Sequence, residues 1–111
     1  MNFLIRLLIT WIGVILSSYL LPGVHIRSFT SALWVALVLA LLNIFLKPLL
    51  IILTIPVTII TFGLFLLVIN AVLILIADEL ISGFFVESFW WAFLFSIILS
   101  IITYLLGKNR K

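Results

Sequence analysis

The sequence predicts an all-α membrane protein of four transmembrane helices, arranged as two tandem two-helix repeats. Hydrophobic residues make up 68% of the 111 positions and charged residues 8%, against about a quarter charged in an ordinary soluble domain. In addition, residues 21–32 (LPGVHIRSFTSA) align with residues 81–92 (ISGFFVESFWWA). Each copy holds an even number of spans and keeps one orientation, so we expect a pseudo-twofold axis along the membrane normal.

Four apolar runs are long enough, or nearly so, to cross a ~30 Å hydrocarbon core, which takes roughly 20 residues. They cover residues 3–21, 29–46, 57–77 and 89–106. The first run is expected to be a retained helix rather than a signal peptide, because no small-x-small cleavage site precedes Pro22. The whole chain, 1–111, is therefore predicted to be one integral membrane domain, with repeats at 1–48 and 57–111 joined by a connection at 49–56.

The charged residues separate by helix end, which predicts the topology. One set of ends carries basic residues and the other carries acidic residues; these are Arg6, Lys47, Lys108, Arg110 and Lys111 against Asp78, Glu79 and Glu87. Arg27 alone breaks this rule. Basic residues favour the cytoplasmic side, so we expect a multi-pass protein of the bacterial cytoplasmic (inner) membrane with both termini in the cytoplasm. This distribution favours the lipid bilayer as partner over nucleic acid, despite a net charge of +3.

The two outer loops carry single charges of opposite sign at matching repeat positions. Arg27 lies in the first copy and Glu87 in the second. A pseudo-twofold bundle would bring these loops together at its rim. The sequence therefore predicts an Arg27–Glu87 salt bridge, within one subunit or between two. His25, the single histidine, is interpreted as a solvated loop side chain.

The middle connection is nearly wholly apolar and too short to cross the membrane. Proline disfavours helix in the residue before it, so Lys47-Pro48 is predicted to end the second span, and Pro56 is a good first-turn residue for the third. Residues 49–55 are therefore expected in the inner interface or as a short re-entrant piece. A single kinked helix running through Pro48 is the competing geometry.

Each predicted span has one face of small or weakly polar residues. In the second and fourth spans these faces align between the repeats: Ala32, Ala36, Ala40, Asn43 and Lys47 with Ala92, Ser96, Ser100, Thr103 and Gly107. Small residues allow helix backbones to approach closely in lipid. We interpret Ala36, Ala40, Ser96 and Ser100 as helix-packing positions within the bundle. The alternative is a wet, pore-lining surface formed between subunits.

Asn43 and Asn70 are the strongest polar groups inside the spans. An amide in hydrocarbon needs a partner, and a bond to another helix is the simplest interpretation; a path for water, ions or a lipid headgroup is the functional one. The chain has no cysteine, no base placed to activate a serine and no glycine-rich phosphate loop. We therefore predict a non-enzyme with no catalytic residue, metal site or cofactor.

The central part of the chain resembles phage holin family 4, superfamily IV, the mycobacterial-type four-span family that includes YvlD-like bacterial membrane proteins. The resemblance is carried by Asn43, Lys47, Pro48, Thr54, Pro56, Thr58, Thr61, Gly63, Leu64, Phe65 and Asn70, followed by Gly83, Phe84 and residues 89–92. It implies a small pore-forming protein, although many members of the family look like ordinary chromosomal membrane proteins.

Three functional hypotheses follow. The first is a self-associating, holin-like inner-membrane protein, a homo-oligomer that forms a pore or alters permeability. The second is a non-conducting structural or regulatory envelope protein that binds a membrane-protein partner. The third is a lipid translocator that uses the interface between the repeats. Leakage of a dye on overexpression would separate the first hypothesis from the second.

Overall fold

The computed structural model describes residues 3–107, and most of them are helical. The elements in chain order are α1 Phe3–Leu20, β1 Val24–Ile26, α2 Phe29–Leu53, α3 Ile55–Ile60, α4 Phe65–Leu80, β2 Phe84–Val86 and α5 Phe89–Gly107. Within that range, α1, α2 and α5 are the three helices long and apolar enough to cross a membrane. The fourth long helix, α4, has 16 residues, or about 24 Å at 1.5 Å per residue.

The long helices form a ring in which each packs against two others. Helix α1 packs on α2 and α5, and α4 packs on the same two helices from the opposite side. The short helix α3 contacts α2 and α4 alone among the described elements, so it lies outside the ring. Residues that are distant in sequence therefore face one another across the centre of the bundle.

The third predicted span, 57–77, is wrong as a single helix. Helix α3 ends at Ile60, a turn follows at 61–64, and α4 begins at Phe65. The turn is a Schellman motif: Gly63 N–H donates to the Thr58 carbonyl at 2.8 Å and Phe62 N–H to the Ile59 carbonyl at 3.1 Å. Phe62 and Gly63 both have left-handed backbones, with φ of 56° and 87°.

Helix α2 continues through Pro48 to Leu53, so the longer helix replaces the predicted end at Lys47-Pro48. It ends where the Thr54 hydroxyl donates to the Leu50 carbonyl at 2.8 Å, which competes with continued helix. Pro56 opens the next helix, as predicted, because it stands in the first turn of α3. The segment expected to be interfacial or re-entrant is thus divided between the end of α2 and the start of α3.

The two loops between long helices pair as short antiparallel strands, a feature that the sequence did not indicate. Val24 lies opposite Val86, and Ile26 lies opposite Phe84. The hydrophobic core lies beneath them, and its fully buried side chains include Val14, Val35, Phe84 and Phe95. The end of the bundle that carries the strands is therefore closed by apolar packing.

Candidate functional site

A cavity of about 310 Å³, with polar and apolar walls, opens between the helices at the other end of the bundle. All four long helices contribute to it. Its polar lining consists of Arg6, Thr10, Asn43, Lys47, Asn70, Ser96, Ser100, Thr103 and Tyr104, and its apolar lining of Ile9, Leu39, Leu73, Ile74 and Leu99. We call this space the basic-end cavity, because Arg6 and Lys47 are its charged residues.

Helical spacing explains why these side chains meet. Side chains four residues apart lie on one face of a helix, and this spacing joins Arg6 to Thr10 on α1 and Asn43 to Lys47 on α2. Ser96 and Ser100 repeat the spacing on α5. Because the four long helices form a ring, these stripes line one shared, open cavity.

The small-residue stripes divide between packing and the cavity. Ala36 is fully buried and belongs to the core, while Ser96 is 4% exposed and donates its hydroxyl hydrogen to the Phe93 carbonyl at 2.8 Å. Ser100 lines the cavity, and Ala40 is half-buried on the same face of α2 as Ala36. Helix packing and lining of the cavity are therefore both roles of these residues within a single subunit.

The amides of Asn43 and Asn70 form no hydrogen bond to any residue in the range 3–107. The expected bond to another helix is therefore not formed in the described part of the chain. Both amides line the basic-end cavity instead. Asn70 is half-buried and Asn43 is exposed, so both amides are available to water or to a ligand.

The cavity is also electropositive. Arg6 and Lys47 make no ion pair with any residue that the structure describes. None of the described residues that line the cavity is a carboxylate. Two cations without a counter-charge, next to uncharged hydrogen-bonding groups, form a site suited to an anion.

At the closed end, the loops are joined by a pair that differs from the predicted one. Glu87 Oε2 lies 2.6 Å from His25 Nε2, with both side chains about half exposed (53% for His25 and 48% for Glu87). Arg27 instead donates from Nη2 to the Ser82 carbonyl at 3.4 Å, so the Arg27–Glu87 bridge is not formed in this chain. His25 is thus a partly solvated side chain, and it contacts Glu87, a partner that the sequence did not indicate.

Several residues that carry the family resemblance lie outside the cavity. Pro48 lies within α2 and Pro56 begins α3. Thr54 and Thr61 donate their hydroxyl hydrogens to carbonyls four residues earlier, at 2.8 and 3.0 Å, and the Thr61 hydroxyl also accepts the Phe65 N–H at 3.1 Å. Together with Gly63, these residues build the bend between α2 and α4.

Gly83 lies in the loop before β2, where a side chain would not fit. A Cβ atom there would lie 2.2 Å from the Ser31 hydroxyl oxygen.

The described residues contain no cluster of three or more His, Cys, Asp or Glu side chains that could hold a metal ion. Among the residues that carry the resemblance, Asn43, Lys47 and Asn70 line the cavity.

The fold and the cavity together define a small helical integral membrane protein. The family model described as "Mycobacterial 4 TMS phage holin, superfamily IV" matches residues 1–105. The chain belongs to this holin family, as the sequence resemblance indicated.

Two relatives extend the comparison. The chain is 38% identical over 97 residues to the uncharacterized membrane protein YvlD of Bacillus subtilis (strain 168), an alignment that covers 86% of this chain and 81% of YvlD. It is 44% identical over 77 residues to the uncharacterized protein SCO3922 of Streptomyces coelicolor (strain ATCC BAA-471 / A3(2) / M145), covering 66% of this chain and 62% of that protein. No solved structure gives a significant match. Neither the family description nor either relative's name denotes an enzyme.

Proposed function

We propose that this protein is a self-associating, holin-like permeability protein of the bacterial inner membrane, and that the basic-end cavity is the inner half of a solute path. The observation that carries the proposal is the position of the cavity. It enters the bundle among Arg6, Lys47 and Tyr104 and is lined farther in by Asn70 and Ser96. Hydrophilic side chains inside a membrane bundle characteristically mark water-filled or substrate pathways.

In the proposed topology the chain crosses the membrane four times, with α3 and α4 together forming the third crossing and both termini in the cytoplasm. Two features support this arrangement. The cavity cations Arg6 and Lys47 lie at one end of the bundle, and the paired loops lie at the other. Helix α2 has 25 residues, about 37 Å at 1.5 Å per residue, so its last turns reach the inner interface, where the apolar bend 48–64 rests.

We further propose that the two halves are related by a pseudo-twofold axis. Reciprocal contacts between equivalent loop positions support it. Arg27 N–H donates to the Gly83 carbonyl at 2.8 Å, and Glu87 N–H donates to the Gly23 carbonyl at 2.9 Å. A Cβ atom on Gly23 would meet Trp91, and one on Gly83 would meet the equivalent residue, Ser31.

The proposed path is closed in this conformation. Val14, Val35, Phe84 and Phe95 fill the bundle beyond the cavity, and each is at most 1% exposed. An apolar constriction of this kind excludes water and ions by dewetting. Permeation in this scheme requires the four side chains, here called the apolar seal, to separate or to become wet.

Self-association would use the outward faces of the helices, because Ala36 and Ser96 are buried in the chain's own core. Those outward faces are aliphatic and aromatic, with Leu41, Phe45 and Leu94 among the exposed residues. The closed seal favours a second candidate function, a non-conducting envelope protein that binds a membrane-protein partner. The two candidates differ in a single measurable property, which is leakage.

Vesicles reconstituted with the full chain and loaded with a small fluorescent dye test the proposal. Val35→Thr keeps the volume of the side chain but places a hydroxyl in the apolar seal, so we expect faster dye release than from the unaltered protein. Val57→Thr makes the same change at a 43% exposed position of α3 and serves as the matched control. Circular dichroism and gel filtration establish that both variants fold.

An Asn70→Leu change in the Val35→Thr background should slow the leak again, because it makes the inner half of the path less polar. Failure of every folded variant to release dye, at any protein density, would contradict the permeability function. The non-conducting candidate would then be favoured.

A further inference from the structure

We infer that the basic-end cavity is a binding site for a phosphoryl anion, carried either by the headgroup of an anionic lipid or by free phosphate. This inference concerns occupancy in the closed protein and does not depend on permeation. The site is formed by Arg6 and Lys47 together with the amides of Asn43 and Asn70.

The charges in and around the cavity select for an anion. Arg6 on α1 and Lys47 on α2 face the same space from neighbouring helices, and neither is paired with a carboxylate of residues 3–107. The nearest acidic residue along α4 is Asp78, eight positions after Asn70 and thus about 12 Å farther along the helix axis. Its side chain is engaged elsewhere, since it accepts the Val86 N–H at 3.1 Å.

The hydrogen-bonding groups fit phosphoryl oxygens. An Arg guanidinium presents paired donors that match phosphate geometry, and a Lys ammonium adds three further donors. The carboxamide NH₂ groups of Asn43 and Asn70 and the hydroxyl of Ser100 are also donors, and none of them is used within the described chain. Such donors gather around several oxygens of one anion more readily than around a cation.

The size and the mouth of the cavity fit a headgroup. A volume of about 310 Å³ lies within the range of roughly 300–1,000 Å³ that is usual for small-molecule sites. Ile9 and Leu39 provide apolar wall beside the polar groups, and Tyr104 stands at the lining with 69% of its surface exposed. A phosphodiester with a small polar substituent can therefore enter while its acyl chains stay outside the bundle.

The test uses the purified full chain in detergent, with native mass spectrometry to count bound ligand and thermal unfolding to measure affinity. Three probes are titrated separately: short-chain phosphatidylglycerol, diacylglycerol of the same chain length, which lacks the phosphate, and inorganic phosphate. Lys47→Gln and Arg6→Gln each remove a cavity cation. Arg27→Gln removes a cation at the opposite end of the bundle. The resulting protein has the same net charge as the two cavity variants, so Arg27→Gln is the matched control.

We expect phosphatidylglycerol to bind and diacylglycerol not to bind. Each cavity variant should weaken phosphatidylglycerol binding at least about tenfold, the usual effect of losing a charge-assisted hydrogen bond. Arg27→Gln should have no effect, and Lys47→Arg should retain binding. If inorganic phosphate raises the unfolding temperature, and this rise depends on the same residues, the site binds a soluble anion. If only the lipid raises the unfolding temperature, the site binds a headgroup.

The inference is overturned if diacylglycerol binds as well as phosphatidylglycerol, or if Arg27→Gln weakens binding as much as Lys47→Gln. It is also overturned if no probe containing phosphate binds. Asn43→Leu provides a second variant that leaves the charge unchanged. Asn43→Leu should weaken phosphate-dependent binding and leave the unfolding temperature without ligand unchanged.

Discussion

Gly23 and Gly83 show how single residues set the contact between the two halves of the chain. Added Cβ atoms would lie 2.1 Å from the Trp91 ring and 2.2 Å from the Ser31 hydroxyl oxygen, respectively. The sequence alignment of the repeats identified both glycines as equivalent. It could not identify their neighbours, because a contact between distant segments depends on how the helices pack.

We expect Gly23→Ala to lower the stability of the protein by about 1–3 kcal/mol, the usual cost of overpacking a tight contact. The indole ring of Trp91 must move, since it cannot rotate away like the end of a flexible side chain. In a Trp91→Ser background, which copies Ser31 of the other repeat, the cost should shrink. Thermal unfolding of the four proteins in detergent measures the coupling, and strictly additive effects would contradict the contact.

A second residue-level prediction concerns the hydrogen-bonded His25–Glu87 pair at the closed end. Glu87 lies 2.6 Å from His25, while Arg27 is directed to the Ser82 carbonyl. A double-mutant cycle of His25→Gln and Glu87→Gln should give a coupling of about 0.2–1 kcal/mol, as for other half-exposed pairs. The cycle of Arg27→Gln with Glu87→Gln should give none. The reverse ranking would restore the pair that the sequence suggested.

The sequence could not have revealed the His25–Glu87 pair from charge alone. Arg27 and Glu87 match in the repeat alignment, but the antiparallel strands place His25 opposite Phe85. Glu87 lies two positions after Phe85, just past the end of β2, and is a diagonal neighbour within reach of a long side chain. Recognising β1 and β2 in the sequence would have been necessary, and three-residue strands give too little alternation to detect.

At the scale of elements, the broken third crossing shows the limit of hydropathy. Residues 57–77 form a mainly apolar run without a charged residue, and hydropathy does not distinguish one helix from two helices joined by a turn. Gly63 was a visible signal, because glycine is common at helix ends. The left-handed backbone of Phe62 had no signal, since a bulky residue rarely adopts it.

This turn leads to a prediction in which backbone strain, rather than contact, decides the outcome. No atom lies within 4 Å of a Cβ atom added to Gly63, but its φ is +87°. Gly63→Ala should therefore destabilise by about 1 kcal/mol, and Phe62→Gly should stabilise the turn by a similar amount. Unfolding temperatures of both variants provide the measurement. A harmless Gly63→Ala would show that this turn does not hold its left-handed geometry in the membrane protein.

At the scale of the whole molecule, the sequence predicted the class of protein because composition and periodicity are properties of the chain itself. It also identified Asn43, Asn70 and the small-residue stripes as special positions. Both amides and part of these stripes line the basic-end cavity because of the order in which the helices pack around the ring. No single-helix pattern contains that order, so the sequence alone indicates packing seams or a surface between subunits for the polar faces.

The last prediction tests the whole arrangement with one covalent bond. His25 and Phe85 are directly opposed in the strand pair, where Cα atoms lie about 5.5 Å apart, within the range that a disulfide spans. The natural chain has no cysteine, so a His25→Cys/Phe85→Cys variant offers a single possible intramolecular pair. If the loops face the oxidising side of the membrane, as proposed, this disulfide should form in cells.

The readout is a gel shift with a large maleimide reagent, before and after reduction. Neither cysteine should react until the bond is reduced, whereas each single-cysteine variant should react at once and be blocked beforehand by a membrane-impermeant thiol reagent. A C-terminal fusion to a reporter that works only in the cytoplasm should be active, and a fusion to one that works only outside the cytoplasm should be inactive. Two free thiols that resist the impermeant reagent would place the loops in the cytoplasm, and two that accept it would show that the strands do not pair. Either result would refute the proposal that the two halves meet at the outer rim of a four-crossing bundle.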